Sequence, residues 1–144
     1  MKKRIIIAGN SHFLREYVNN GLYFMQSGAS LSRLYKKYEV YNLSKKNLTS
    51  SDAYVLTKAF LEIKEFDLVF LALGEGDIIN GISTSEFKNN LKQIINLCKS
   101  SSVSIVLHNQ LKKKEYAPYS LVIDELQNEN EFEFKYVSNK LVKA

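Results

Sequence analysis

The chain has 144 residues, 45% of them hydrophobic and 24% charged, with 20 Lys and Arg against 15 Asp and Glu for a net charge of +5. One domain of this size buries roughly two thirds of its unfolded surface, and the composition excludes disorder. The basic residues fall in short clusters offset by an acidic tract from Asp124 to Glu133, no apolar run approaches the roughly 20 residues of a membrane span, and the single cysteine forms no internal disulfide.

These features set nucleic acid and membrane aside as partners and fit a cytoplasmic protein. The start, "MKKRIIIAG", has the basic head of a signal peptide but too short an apolar run. It reads instead as the beginning of a first strand, "RIIIA" (4–8). A helical pattern follows over 12–37, with a break near Asn19-Asn20-Gly21 or Ser27-Gly28. Next come a strand at 39–43, a helix at 51–65 and a strand, "DLVFLAL", at 67–73. The helix predicted over 84–100 has the clearest pattern, because Phe87, Leu91, Ile94, Ile95 and Cys98 recur at helical spacing. Ser83 or Thr84 caps it, with Glu86 completing a capping signal, and Cys98 reads as a core thiol. A strand at 103–108, a helix at about 117–129 opened by Pro118, and a fifth strand at 132–137 complete the chain.

Strict alternation of strand and helix implies right-handed crossovers, hence a parallel sheet with helices on both faces. Ligands of such sheets sit beyond the carboxyl ends of the strands. That rule selects Gly9 to His12, Asn42 to Asn47, Gly74 to Asp77, and His108 to Gln110. In the first stretch, Ser11 is either a helix cap or a nucleophile at the sheet's rim. A phosphate loop fits less well, since "AGNSHF" holds one glycine where the dinucleotide fingerprint needs three. In "LALGEGDIINGIS", Gly74 and Gly76 permit a tight turn and Asp77 can anchor it by accepting backbone N–H bonds.

Taken together, "IIIAGNSHF", "VYNLSKKNLTSSD" and "DLVFLALGEGDIINGISTSEFKNNLKQIINLCKSSSVSIVL" resemble the SGNH, or GDSL-type, hydrolase superfamily. That family has a Gly-Asp-Ser block after strand one, a Gly block after strand two and a Gly-x-Asn-Asp block after strand three. The resemblance implies a single α/β domain over 1–144, a three-layer sandwich with a five-stranded parallel sheet in the flavodoxin-like order 2-1-3-4-5. It implies a serine esterase or deacetylase acting on an acyl or acetyl ester, including esters of carbohydrate, with no metal or cofactor.

Carried over residue by residue, Ser11 matches the nucleophile, and Asn10 stands where the family has Asp. Asn47 falls near the second block's glycine, Gly76 takes the third block's Asn position, and Gly74 and Asp77 match that block's outer residues. The family's Asp-x-x-His after strand five has no counterpart in "FEFKYVSNKLVKA", so the domain reads as truncated at its C-terminus. His12 adjoins Ser11 but points elsewhere; His108, at the end of strand four, is the candidate base, about 10 Å from strand one across one intervening strand. Three readings stay open: an esterase or deacetylase, an inactive binding or accessory protein with a protein partner or a second copy of itself, and a nucleotide or sugar-nucleotide binding domain.

Overall fold

The computed structural model describes residues 2–9, 14–19, 22–27, 36–137 and 140–144. Four strands, β1 (Lys3–Gly9), β4 (Tyr38–Asn42), β5 (Leu68–Ala72) and β6 (Ser104–Leu107), form one parallel sheet in the order β4-β1-β5-β6. This is the expected order 2-1-3-4 of the first four predicted strands. All five residues of β5 and residues 5–9 of β1 are buried, which is why both read as nearly continuous apolar runs.

One face of the sheet, carrying Ile6, Val69, Leu71 and Ile105, packs on three helices: α1 (Ser50–Ile63), α3 (Thr84–Ser100) and α4 (Ala117–Glu129). Helix α3 starts where the sequence predicts, with Ser83 Oγ accepting the Glu86 N–H at 3.1 Å, and it buries the whole predicted face from Phe87 to Cys98. Helix α1 is capped by Thr49, which accepts from Asp52 N at 3.1 Å, and its buried residues are small: Ser50, Ala53 and Thr57. A short helix α2 (Glu75–Ile79) links β5 to α3.

On the other face the described residues show a hairpin. Ile5, Ile7, Phe70 and Val106 meet Phe134, Tyr136 and Leu141 of an antiparallel hairpin, β7 (Phe134–Val137) with β8 (Lys140–Lys143). The fifth predicted strand therefore forms, but among the described residues it pairs with β8 and makes no ladder with β6. Side chains occupy the edge of β6 instead. Gln127 Nε2 donates to the Leu107 carbonyl at 2.7 Å, and Ser104 Oγ donates to Glu133 Oε2 at 2.7 Å.

The helix expected over 12–37 is corrected over 14–27, while Lys36 and Lys37 at its end are helical. Within it lie β2 (Leu14–Asn19) and β3 (Leu22–Ser27), paired antiparallel with Asn19 opposite Leu22. The segments are rich in strand-forming residue types (Tyr17, Val18, Tyr23, Phe24), and the sequence between them is Asn-Gly, the dipeptide that most favours a two-residue hairpin connection. Local β chemistry outweighs the helical periodicity. No helix among the described residues is long and apolar enough to cross a membrane.

Candidate functional site

The rim beyond the strand ends is sewn together by hydrogen bonds between loops distant in sequence. The Gly9 N–H donates to the buried Ser44 Oγ at 3.0 Å, and the Gly9 carbonyl accepts from Lys45 N at 3.3 Å. Asn42 Oδ1 in turn accepts from Ser44 N at 3.0 Å. The loop after β4 is thereby fixed against the end of β1, which itself pairs with Ala72 of β5. Asn10, Ser11 and His12 follow immediately and lie outside the described residues.

The remaining candidates of the second and third loops come together. Asn47 has φ 61, the left-handed conformation for which Asn is the usual substitute for Gly. Gly76 lies directly against it: a Cβ built there would sit 2.2 Å from the Leu48 carbonyl oxygen and 2.6 Å from Asn47 C and O. The position is closed to any side chain by backbone. Gly74, at φ +133, precedes α2 and packs under Leu111 of the loop after β6.

Asp77 is fully buried, and both carboxylate oxygens are occupied by one residue. Oδ1 accepts from Ser50 N at 2.8 Å and Oδ2 from Ser50 Oγ at 2.6 Å. Ser50 Oγ also accepts from Asn90 Nδ2 at 3.0 Å, which commits the serine's own proton to Asp77. Burial pushes the Asp77 carboxyl above the ordinary carboxylate range, and the two Ser50 hydrogen bonds offset part of that rise. Asp77 thus anchors a turn by accepting a backbone N–H, as its sequence context suggests, but the turn belongs to α1 rather than to its own loop.

His108 extends β6, donating its backbone N–H to the Leu71 carbonyl at 2.8 Å. It stands one step past the Leu71–Leu107 pair, as Gly9 stands opposite Ala72, so roughly two strand spacings, about 10 Å, separate the two backbones. Its half-buried ring packs on Phe70 at 6.0 Å and edge-on to Tyr136 at 5.1 Å between centroids. Desolvation, with the Lys112 charge second, holds its pKa below the usual histidine value. The imidazole is consequently neutral near pH 7, able to accept a proton, but seated in an aromatic niche.

Sequence reasoning selects the stretch that holds Ser44 without singling it out, and does not find Ser50 or Asn90. Ser50 lies 27 residues from Asp77 and Asn90 lies 40 residues from Ser50, separations that a single sequence does not connect. Among the described residues no group of three or more His, Cys, Asp or Glu is arranged to hold a metal ion.

No protein-family model matches the chain, and no curated protein matches it in sequence. Solved structures do. The psychrotrophic esterase EstA from Pseudoalteromonas sp. is 16% identical, over 88% of this chain and 73% of that one, with TM-score 0.62. A G-D-S-L family protein from Desulfitobacterium hafniense gives 16% identity, 89% and 71% coverage and TM-score 0.66. Axe2, an acetylxylan esterase from Geobacillus stearothermophilus, gives 14% identity, 88% and 72% coverage and TM-score 0.61. The chain has the SGNH-hydrolase fold.

Proposed function

We propose that the rim is the site of a serine esterase or deacetylase of SGNH type, which takes an acyl or acetyl ester and uses Ser11 as the nucleophile. The observation that supports this reading is the joining of three rim loops around the end of β1. Ser44 and Lys45 bind Gly9, the Asn47–Leu48 backbone abuts Gly76, and Asp77 holds Ser50. A nucleophile two residues beyond Gly9 needs such a rigid frame, because attack requires the hydroxyl and the ester carbonyl to be held near 3 Å. In this role Asp77 is a positioning residue, and Asn47 and Gly74 shape the floor under the acyl group. Backbone N–H groups, with Asn10, supply the oxyanion donors.

Turnover on this frame is slow. The family's side-chain donor at the Gly76 position is absent, and one lost oxyanion donor costs about 100- to 1000-fold in rate. His108, the candidate base, has no hydrogen-bonded carboxylate among the described residues, and a general base contributes about 100- to 10,000-fold. Those same two observations favour the second reading, a protein that binds an ester or carbohydrate on this rim without hydrolysing it. Incubation with a fluorophosphonate and with p-nitrophenyl acetate separates the two. The hydrolase reading expects covalent labelling at Ser11 and slow turnover abolished in Ser11→Ala. Hydrolysis that survives Ser11→Ala rules out Ser11 as the nucleophile, and a protein that neither labels at Ser11 nor turns the ester over overturns the hydrolase reading in favour of binding alone.

A further inference from the structure

Helices α1 and α3 pack against each other on one face of the sheet, yet they divide their residues in opposite ways. Helix α3 buries Phe87, Leu91, Ile94, Ile95 and Cys98 and leaves Asn89, Lys92, Gln93 and Asn96 exposed. Helix α1 fully buries only Ser50, Ala53 and Thr57, while Val55 is 61% exposed and Ile63, at 70%, is the most exposed large apolar residue among those described. Single exposed apolar residues, such as Ile79 and Leu121, are ordinary on a protein surface. Val55 and Ile63 are not single. With the exposed Ala59 midway between them they recur every four residues, which sets them along one outward stripe of the helix. Leu56 and Phe60, half-buried, border that stripe on one side.

The stripe has a centre. Val55 and Ile63 stand four residues to either side of Ala59, about 6 Å along the helix axis in each direction. A two-fold axis through Ala59 therefore sets Val55 of one copy against Ile63 of a second copy, twice, with alanine where the two helices come closest. The charges follow the same symmetry. Lys58 and Glu62 are exposed on the other border of the stripe, and neither is ion-paired among the described residues. Within one helix, Lys four residues before Glu is the weaker order for such a pair. Across the two-fold axis, Lys58 comes within about 3 Å, measured along the helix axis, of Glu62 in the second copy, on the same side, and the pair forms twice. The antiparallel arrangement also sets the amino end of each α1 beside the carboxyl end of the other, where the two helix dipoles attract.

We propose that the outward face of α1 is a contact between two copies of this chain, which pair their α1 helices antiparallel about Ala59. A single helix pair buries less than the roughly 1,200 Å² of a standard stable interface, so the dimer is weak and forms with rising concentration. The proposal is independent of whether the rim hydrolyses an ester. Sedimentation equilibrium of the full chain from about 10 μM to about 1 mM tests it, and the average mass is expected to rise from one chain towards two. Val55→Glu combined with Ile63→Glu is expected to hold the chain monomeric throughout, with an unchanged circular dichroism spectrum because both positions are exposed. Lys58→Glu is expected to weaken association about tenfold at low salt, and Lys58→Glu combined with Glu62→Lys to restore it, with both effects fading at high salt where exposed charges are screened. A chain that stays monomeric over the whole range overturns the proposal. So does a dimer that the two glutamates leave intact, since the contact then lies on another face. Association that Lys58→Glu leaves unchanged, or that the exchanged pair does not recover, refutes the antiparallel pairing about Ala59.

Discussion

Gly76→Ala tests most directly whether the third loop is closed to a side chain. The added methyl would stand 2.2 Å from the Leu48 oxygen and 2.6 Å from two Asn47 atoms, where ordinary contact begins at 3.4 Å, so the backbone must retreat by about 0.8 to 1.2 Å. That loop has little room to yield. Leu48 is 1% exposed, Lys45 N is held by Gly9, and Ser50 is held by Asp77. Overpacking into fixed surroundings costs typically 1–3 kcal/mol, and clashes with backbone belong at the upper end, about 3 kcal/mol. At 2–4 °C per kcal/mol for a domain near this size, the expected fall in Tm is roughly 6–12 °C. Urea unfolding followed by circular dichroism gives the free energy, with Gly81→Ala as the comparison. Gly81 has open space around its Cβ position but φ +69, so it suffers only the backbone penalty of about 1–2 kcal/mol. If Gly76→Ala is no more destabilising than Gly81→Ala, the loop accommodates a side chain and the packing argument fails. Gly76→Asn, which restores the family's residue type, is expected to unfold the loop rather than restore catalysis.

Ser50→Ala leaves Asp77 Oδ2 and Asn90 Nδ2 without their shared partner and is expected to cost about 2 kcal/mol in urea unfolding; a loss below 0.5 kcal/mol would show the clamp to be dispensable. Asp77 has a raised pKa in the folded state, so the native protein holds its proton more tightly than the unfolded chain, and this group's contribution to stability is lost as pH rises from 3.8 through the folded value. The stability difference between wild type and Asp77→Asn should drift in that direction across pH 3.5 to 7, and a flat difference refutes it. His108 has the opposite linkage: its lowered folded pKa means stability is lost as pH falls below 6.5, and His108→Phe, which keeps an aromatic ring in the niche, should remove that loss in thermal melts at pH 5 and pH 8. Cys98 is fully buried with its thiol pushed up to about 12, so a disulfide reagent should leave it untouched in the native protein and modify it in denaturant.

Where one element's own residues decide its form, the sequence was legible. Helix α3 runs from Thr84 to Ser100, as its spacing and the Ser83 cap predict, and α4 runs from Ala117 to Glu129, opened by Pro118. The buried strands are equally plain, and their order follows from the resemblance. Two elements answer to a competing signal. Residues 14–27 hold an Asn-Gly pair between aromatic-rich segments, a hairpin signal that prevails over the helical periodicity. Strand-helix alternation and the resemblance place the strand at 132–137 in the sheet, whereas among the described residues it pairs with Lys140–Lys143, a partner only four residues long. The site divides similarly. The left-handed Asn47 and the tight Gly76 follow from residue type, whereas the partnership of Asp77 with Ser50 and Asn90 exists only after α1, α2 and α3 have met.

That partnership bears on how the protein opens. The Ser50 N–H is held by a buried carboxylate on one helix, and the Ser50 hydroxyl is held in place by an amide on another, so no fraying of α1 alone releases it. Amides of this kind exchange with solvent only when the whole domain unfolds. In deuterated buffer the Ser50 amide, at the first residue of a helix where exchange is ordinarily fast, should be among the slowest in the chain, and its exchange rate would then measure the stability of the entire rim.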